Sequence, residues 1–158
     1  MGRVNPPGVT EVHWGTTATL AAPTTAELNA FTDISGFVQG VPGIPESFNT
    51  ADTSNLSSKR NSNIPASYGG DTGTITVYLD DTTDTAYETL TVGTAGYLAI
   101  PWLGLATAGT FAVSDDVWLY PVKIGARPVD PVGRDDALVS TVEFTITGDP
   151  TEKYALLT

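Results

Sequence analysis

Few side chains in this sequence have the type and spacing to do chemistry. His13 is the single histidine, which excludes multi-histidine metal sites and leaves acid–base catalysis without its usual proton carrier. It lies in an alternating stretch and reads as structural. Asp80, Asp81 and Asp84 form the densest group of carboxylates. A calcium loop of the EF-hand type needs alternating ligands, a central Gly and a terminal Glu, and these residues lack that pattern. Capping of a following helix explains them more simply. Asp115-Asp116 and Asp135-Asp136 read as solvated turns at strand entrances. Nothing singles out a carboxylate pair for glycoside hydrolysis. Neither a Gly-x-Ser-x-Gly elbow nor a phosphate-binding Gly loop occurs. The expectation is a protein with no catalytic residues, no bound metal and no cofactor.

Two other groups suit binding. Lys59-Arg60 is the only adjacent basic pair, set in a polar stretch where it can meet carboxylates of an acidic partner. Trp14, Trp102 and Trp118 suit a stacking platform for sugar rings. All three sit in apolar runs, where packing is the more ordinary role.

The elements that position these residues are mostly strands. Leu138–Thr147 places Val142, Phe144 and Ile146 in alternation with Thr141, Glu143, Thr145 and Thr147. That period of two puts the apolar set on one face and the polar set on the other. Val117–Gly125 is a second such run, rich in β-branched and aromatic residues. A proline- and charge-rich segment, 126–137, joins them, so the two runs predict a long antiparallel hairpin with an irregular tip. Strands are also predicted at Val9–Trp14, Thr74–Leu79 and Tyr97–Gly104, where Pro101 suggests an edge or a bulge, with a further short strand at Glu46–Thr50. Thr24 and Glu27 have capping-box spacing for one or two helical turns. A second short helix is predicted over 82–91, capped by Asp81 or Thr82. Residues 1–8 read as a flexible arm, 49–66 as a long polar loop, and 151–158 as a short tail. Loops that long are usually functional or disordered.

Composition bounds the class. A chain of 158 residues suits one domain, and 41% hydrophobic residues suffice for a core. Frequent Gly and Pro, at 16 and 11, argue for a β-rich chain with many turns. The net charge of −11 repels nucleic-acid phosphates. The absence of cysteine excludes disulfides and thiolate metal sites. No signal peptide or membrane-spanning helix is expected, since no apolar run approaches about 20 residues.

The layout of these elements resembles the major tail tube proteins of long-tailed, non-contractile bacteriophages, over roughly residues 10–149. Two phrases carry most of the likeness. One is the amphipathic strand followed by Asp81-Thr82-Thr83-Asp84-Thr85-Ala86-Tyr87-Glu88-Thr89-Leu90. The other is the closing charged turn and the strand Val142-Glu143-Phe144-Thr145-Ile146-Thr147-Gly148. The resemblance implies a β-sandwich or rolled antiparallel sheet with one short flanking helix. It further implies stacked, six-membered rings forming a hollow tube, with tape measure and terminator proteins as partners. DNA would pass through without specific binding, assembly would take place in the host cytoplasm, and an acidic balance suits such a lumen. Interface candidates are then Asp52, Leu56, Lys59, Arg60 and Ile64 in the loop region, Arg3 in the arm and Tyr154 in the tail. Lumen-facing candidates are Thr141, Glu143 and Thr145. One departure is the lack of an added immunoglobulin-like C-terminal domain, which bears only on surface decoration.

Two other functions compete: a single-ring tail terminator or head–tail connector, and a carbohydrate-binding β-sandwich. Rings that stack without limit distinguish the tube subunit from the first. Exposed tryptophans quenched by sugar would favour the second.

Overall fold

The alternating runs form strands in the computed structural model, which describes residues 10–40, 42–52, 63–82 and 84–157. In chain order these are β1 (His13–Gly15), α1 (Thr25–Asn29), β2 (Thr32–Asp33), a 3-10 turn (Ser35–Phe37), β3 (Glu46–Asp52) and β4 (Asn63–Gly70). There follow β5 (Thr72–Tyr78), α2 (Thr85–Thr89), β6 (Ala95–Ile100), β7 (Asp116–Ile124), β8 (Val139–Ile146) and β9 (Thr151–Ala155). One antiparallel sheet runs in the order β2-β1-β6-β7-β8-β5, and β9 also pairs with β7. The strands β3 and β4 form a separate two-stranded sheet.

The predicted closing hairpin is present and organises the sheet. Val122, Lys123 and Ile124 of β7 face Ile146, Thr145 and Phe144 of β8. Beyond β7 the chain stays paired to β8 through hydrogen bonds from Glu143 N to Ala126 O, Thr141 N to Pro128 O and Asp130 N to Val139 O. In the other direction, Thr147 N donates to Pro121 O, and β9 then takes over along Asp116–Leu119. Thus β8 and β9 occupy one edge of β7 in tandem, interrupted at Gly148-Asp149-Pro150. The stretch expected to be a short tail is therefore a strand over Thr151–Ala155, and the buried Leu156 anchors its end.

Two apolar clusters lie on the two faces of this sheet. Tyr120, Val122 and Ile124 of β7 join Leu98 and Ile100 of β6, Ile75 and Val77 of β5, and Val142, Phe144 and Ile146 of β8. Trp14 and, from α2, Ala86 and Leu90 complete that cluster. Gathering one face of β1, β5, β6, β7 and β8 around a single core requires the sheet to curl. The alternate residues Val117, Leu119 and Ala99 point the other way and pack with Leu28, Phe31, Phe111 and Leu156. Helix α1 covers this second face.

The α1 start follows its sequence signal. Thr24 Oγ1 accepts from Glu27 N, and the Glu27 carboxylate accepts from Thr24 N. Two short helices flank the sheet, where the family resemblance implies one. Helix α2 is shorter than the predicted 82–91. Its N-cap is Asp84, not Asp81 or Thr82, and the Asp84 carboxylate accepts Asp80 N instead of capping the helix. Local hydrogen bonding among the aspartates outcompetes helix extension here. Pro101 follows the last residue of β6, which lies between β1 and β7; it ends an inner strand and marks no edge.

The two ends of the expected polar loop, 49–52 and 63–66, pair as strands, and the short strand predicted at Glu46–Thr50 is present as part of β3. Thr50, Ala51 and Asp52 of β3 face Pro65, Ile64 and Asn63 of β4, past a register shift at Asn49/Thr50. Backbone pairing overrides a polar, breaker-rich composition there. The connecting residues 53–62 and the arm at 1–8 lie outside the described residues.

Candidate functional site

The outer face of β5 and β8 is built from threonine. Thr72, Thr74 and Thr76 stand opposite Thr145, Glu143 and Thr141, and on the far side of β8 Lys123 stands opposite Thr145. Alternation forces this, because the intervening Ile75, Val77, Val142 and Phe144 are committed to the core. Of the three lumen candidates, Glu143 and Thr145 are exposed. Thr141 is half-buried and donates its hydroxyl to the Asp130 carboxylate. The face thus carries hydroxyls with two carboxylates, Glu143 and Asp130, and one ammonium group, Lys123. The paired acids Asp115-Asp116 and Asp135-Asp136 sit instead at the start of β7 and in the tip before β8.

The free edge of β5 is partly covered. Val38 bridges to Val77, and Gln39 N donates to Thr76 O. Gln39, Gly43 and Ile44 border a shallow groove whose other wall is Thr72, Thr74 and Thr76. From here the chain leaves as β3 and returns as β4 into Thr72. Among the described residues this hairpin pairs only within itself, whereas the other described strands join the main sheet.

The interface candidates divide accordingly. Asp52 ends β3 and Ile64 lies in β4, where Ala51 is its partner. Tyr154 lies in β9, half-buried and opposite Val117. Leu56, Lys59, Arg60 and Arg3 lie outside the described residues.

The aspartate group before α2 is a hydrogen-bonded turn. Thr82 N donates to Asp80 Oδ1 at 2.9 Å, and Thr82 Oγ1 to Asp81 Oδ1 at 2.8 Å. A different cluster escaped the sequence reading. Glu11, His13 and Asp33 bring one donor atom each to within 4.8 Å of one another. His13 Nε2 lies 2.9 Å from Glu11 Oε2. Asp33 joins because β2 sets it opposite His13, a relation with no signal in local spacing. The three tryptophans do not share one exposed surface, since Trp14 is buried while Trp102 and Trp118 are half-buried against the same core. Trp102 Nε1 donates to the Tyr120 hydroxyl at 3.3 Å.

A family model described as phage tail tube protein matches residues 3–158. The chain belongs to the phage tail tube protein family. A tail tube protein is a structural part of the virion tail and not an enzyme. Solved structures share this tail tube fold at low identity. One chain comes from the extracellular contractile injection system described as the PVC sheath/tube terminator in its extended state. It has a TM-score of 0.62 at 12% identity, covering 93% of this chain and 95% of that one. Another comes from the anti-feeding prophage baseplate, 6-fold symmetrised, with a TM-score of 0.59 at 11% identity and 96% coverage of both chains. The sequence matches no curated protein.

Proposed function

We propose that this tail tube protein is the repeating subunit of the tube itself. Copies associate into six-membered rings, the rings stack, and the hollow stack delivers the genome, in a tail of the long, non-contractile kind. The observation that carries this reading is the β3–β4 hairpin, whose strands, among the described residues, pair only with each other. A two-stranded hairpin is at best marginal in water and needs a surface to lie on. A neighbouring copy supplies that surface, and Asp52, Leu56, Lys59, Arg60 and Ile64 meet it. Arg3 and Tyr154 serve contacts between rings. The threonine face of β5 and β8, with Glu143 and Thr145 exposed, lines the lumen. Hydroxyls and a net negative protein let DNA slide without holding it. Tape measure and terminator proteins are the other partners, and assembly takes place in the host cytoplasm.

The solved chain from a sheath/tube terminator particle favours one alternative, a single ring that ends a tube. Negative-stain microscopy of concentrated protein separates the two. Long hollow tubes or stacked rings establish the tube subunit. Uniform single rings transfer the assignment to a terminator, and persistent monomers remove assembly as the function.

A further inference from the structure

The strand that carries His13 also carries an unassigned cluster of ligands. Val12 and Trp14 face the larger core, so Glu11 and His13 share the opposite face of the same extended segment. The pairing of β1 with β2 sets Asp33 directly across from His13. Three donors of metal-ligating type, one imidazole nitrogen and two carboxylates, therefore converge on one point. The geometry points to a divalent transition-metal site, of the zinc type, formed by Glu11, His13 and Asp33.

Each ligand is held by something else, as a built site requires. His13 is 2% exposed, and its ring meets Phe111 edge-on at 4.7 Å between centroids. Glu11 is fixed by Gly109, whose N–H donates to both carboxylate oxygens at 3.0 Å. Asp33 is fixed through Oδ1, which accepts Ser35 N at 2.9 Å and Ser35 Oγ at 2.6 Å. Its other oxygen, Oδ2, lies beside Gly109, where a Cβ would approach to 3.6 Å. Gly109 adopts φ +73°, so a side chain there would be strained as well as close.

The distances suit an ion. Zinc with N and O ligands at about 2.0–2.2 Å in tetrahedral geometry needs its donors about 3.4 Å apart. His13 Nε2 and Glu11 Oε2 are at 2.9 Å and need to open slightly. The remaining separations, 4.8 Å at most, are those to the exposed Asp33. Two carboxylates beside one imidazole leave surplus negative charge that a cation offsets. An imidazole with two carboxylates suits zinc or manganese better than magnesium, which prefers all-oxygen shells. The ion would occupy the position of the proton between His13 and Glu11, and water would complete its shell from the exposed side.

The test uses the full chain, stripped with chelator and titrated with zinc chloride alone, with magnesium as control. One zinc per chain in native mass spectrometry is expected. A rise in Tm of about 5 °C at a hundredfold excess over Kd is expected with it. His13 is the only histidine, so its imidazole nitrogen signals are unambiguous in NMR and should shift on zinc addition. Asp33→Asn and Glu11→Gln each keep an acceptor oxygen for their backbone partner. They should fold, as circular dichroism checks, and bind zinc at least tenfold more weakly. The inference is overturned if no stoichiometric zinc binds, if the imidazole signals stay in place, or if both variants bind as tightly as the parent. Tube assembly plays no part in these readouts, so their failure leaves the proposed function intact.

Discussion

Gly73 and Phe144 face each other across β5 and β8, and the phenyl ring fills the space a side chain at position 73 would need. A Cβ built on Gly73 would lie 2.4 Å from Cζ of Phe144. Phe144 is fully buried between β7 and β5 and has little room to retreat. Gly73→Ala should therefore overpack the core and cost about 1–3 kcal/mol. Urea unfolding checks this. An unchanged midpoint would mean that the ring is freer than its burial implies.

Asn29 closes a second long-range contact. Its Nδ2 donates to Phe111 O at 2.9 Å, and its Oδ1 accepts Phe111 N at 2.8 Å. This pairs the end of α1 with the segment that carries Phe111 into the second core. Asn29→Ala leaves both backbone groups unpaired, with an expected loss of about 1–3 kcal/mol. Asn29→Asp should recover only part of the loss, because a carboxylate cannot donate to Phe111 O. Comparing the Tm of the two variants tests the donor's share.

The capping box makes α1 sensitive to acid. The hydrogen bond from Thr19 Oγ1, and next that from Thr24 N, hold the Glu27 carboxyl below its ordinary range. A depressed carboxyl lends stability in full above the unfolded value, near 4.3. That stability disappears as pH falls through the lower folded value. Glu27→Gln should lower the Tm at pH 7, where the carboxylate contributes in full, and flatten the profile below about pH 4.3, where the two proteins should converge. A variant whose profile tracks the parent through the acid limb would contradict this.

Assembly should depend on the basic pair at 59–60. Lys59→Glu with Arg60→Glu should change the subunit's own stability by no more than about 0.5 kcal/mol. It should sharply reduce tube formation in sedimentation. Tubes forming as readily as in the parent would remove these residues from the interface.

Much of the sheet was legible because alternation is a local signal. Thr141, Glu143 and Thr145 face out and Val142, Phe144 and Ile146 face in, as the period of two required. The capping box at Thr24 and Glu27 was legible for the same reason. Of the β3–β4 hairpin, Glu46–Thr50 was legible as a short strand, but its extension to Asp52 and the return strand β4 were not, since backbone pairing can hold a segment whose side chains advertise a loop. Strand β9 was missed because five residues of mixed polarity carry no pattern, and its pairing depends on a vacancy along β7. The cluster of Glu11, His13 and Asp33 was missed because register across β1 and β2 assembles it, and register is invisible in one sequence. Leu56, Lys59, Arg60 and Arg3 lie outside the described residues, and their expected contacts rest on the sequence.

Thr25 N donates to Leu157 O, so the first helix is tied to the far end of the chain as described. His13 likewise pairs with Ala99, and Thr72 with Thr145. Such contacts repay the entropy of loop closure only after most of the chain is in place. Folding should consequently run on the millisecond-to-second scale of nonlocal β topologies, late and nearly all at once. A half-synthesised chain then has neither core complete and presents no finished surface on which a partner in the tail could seize.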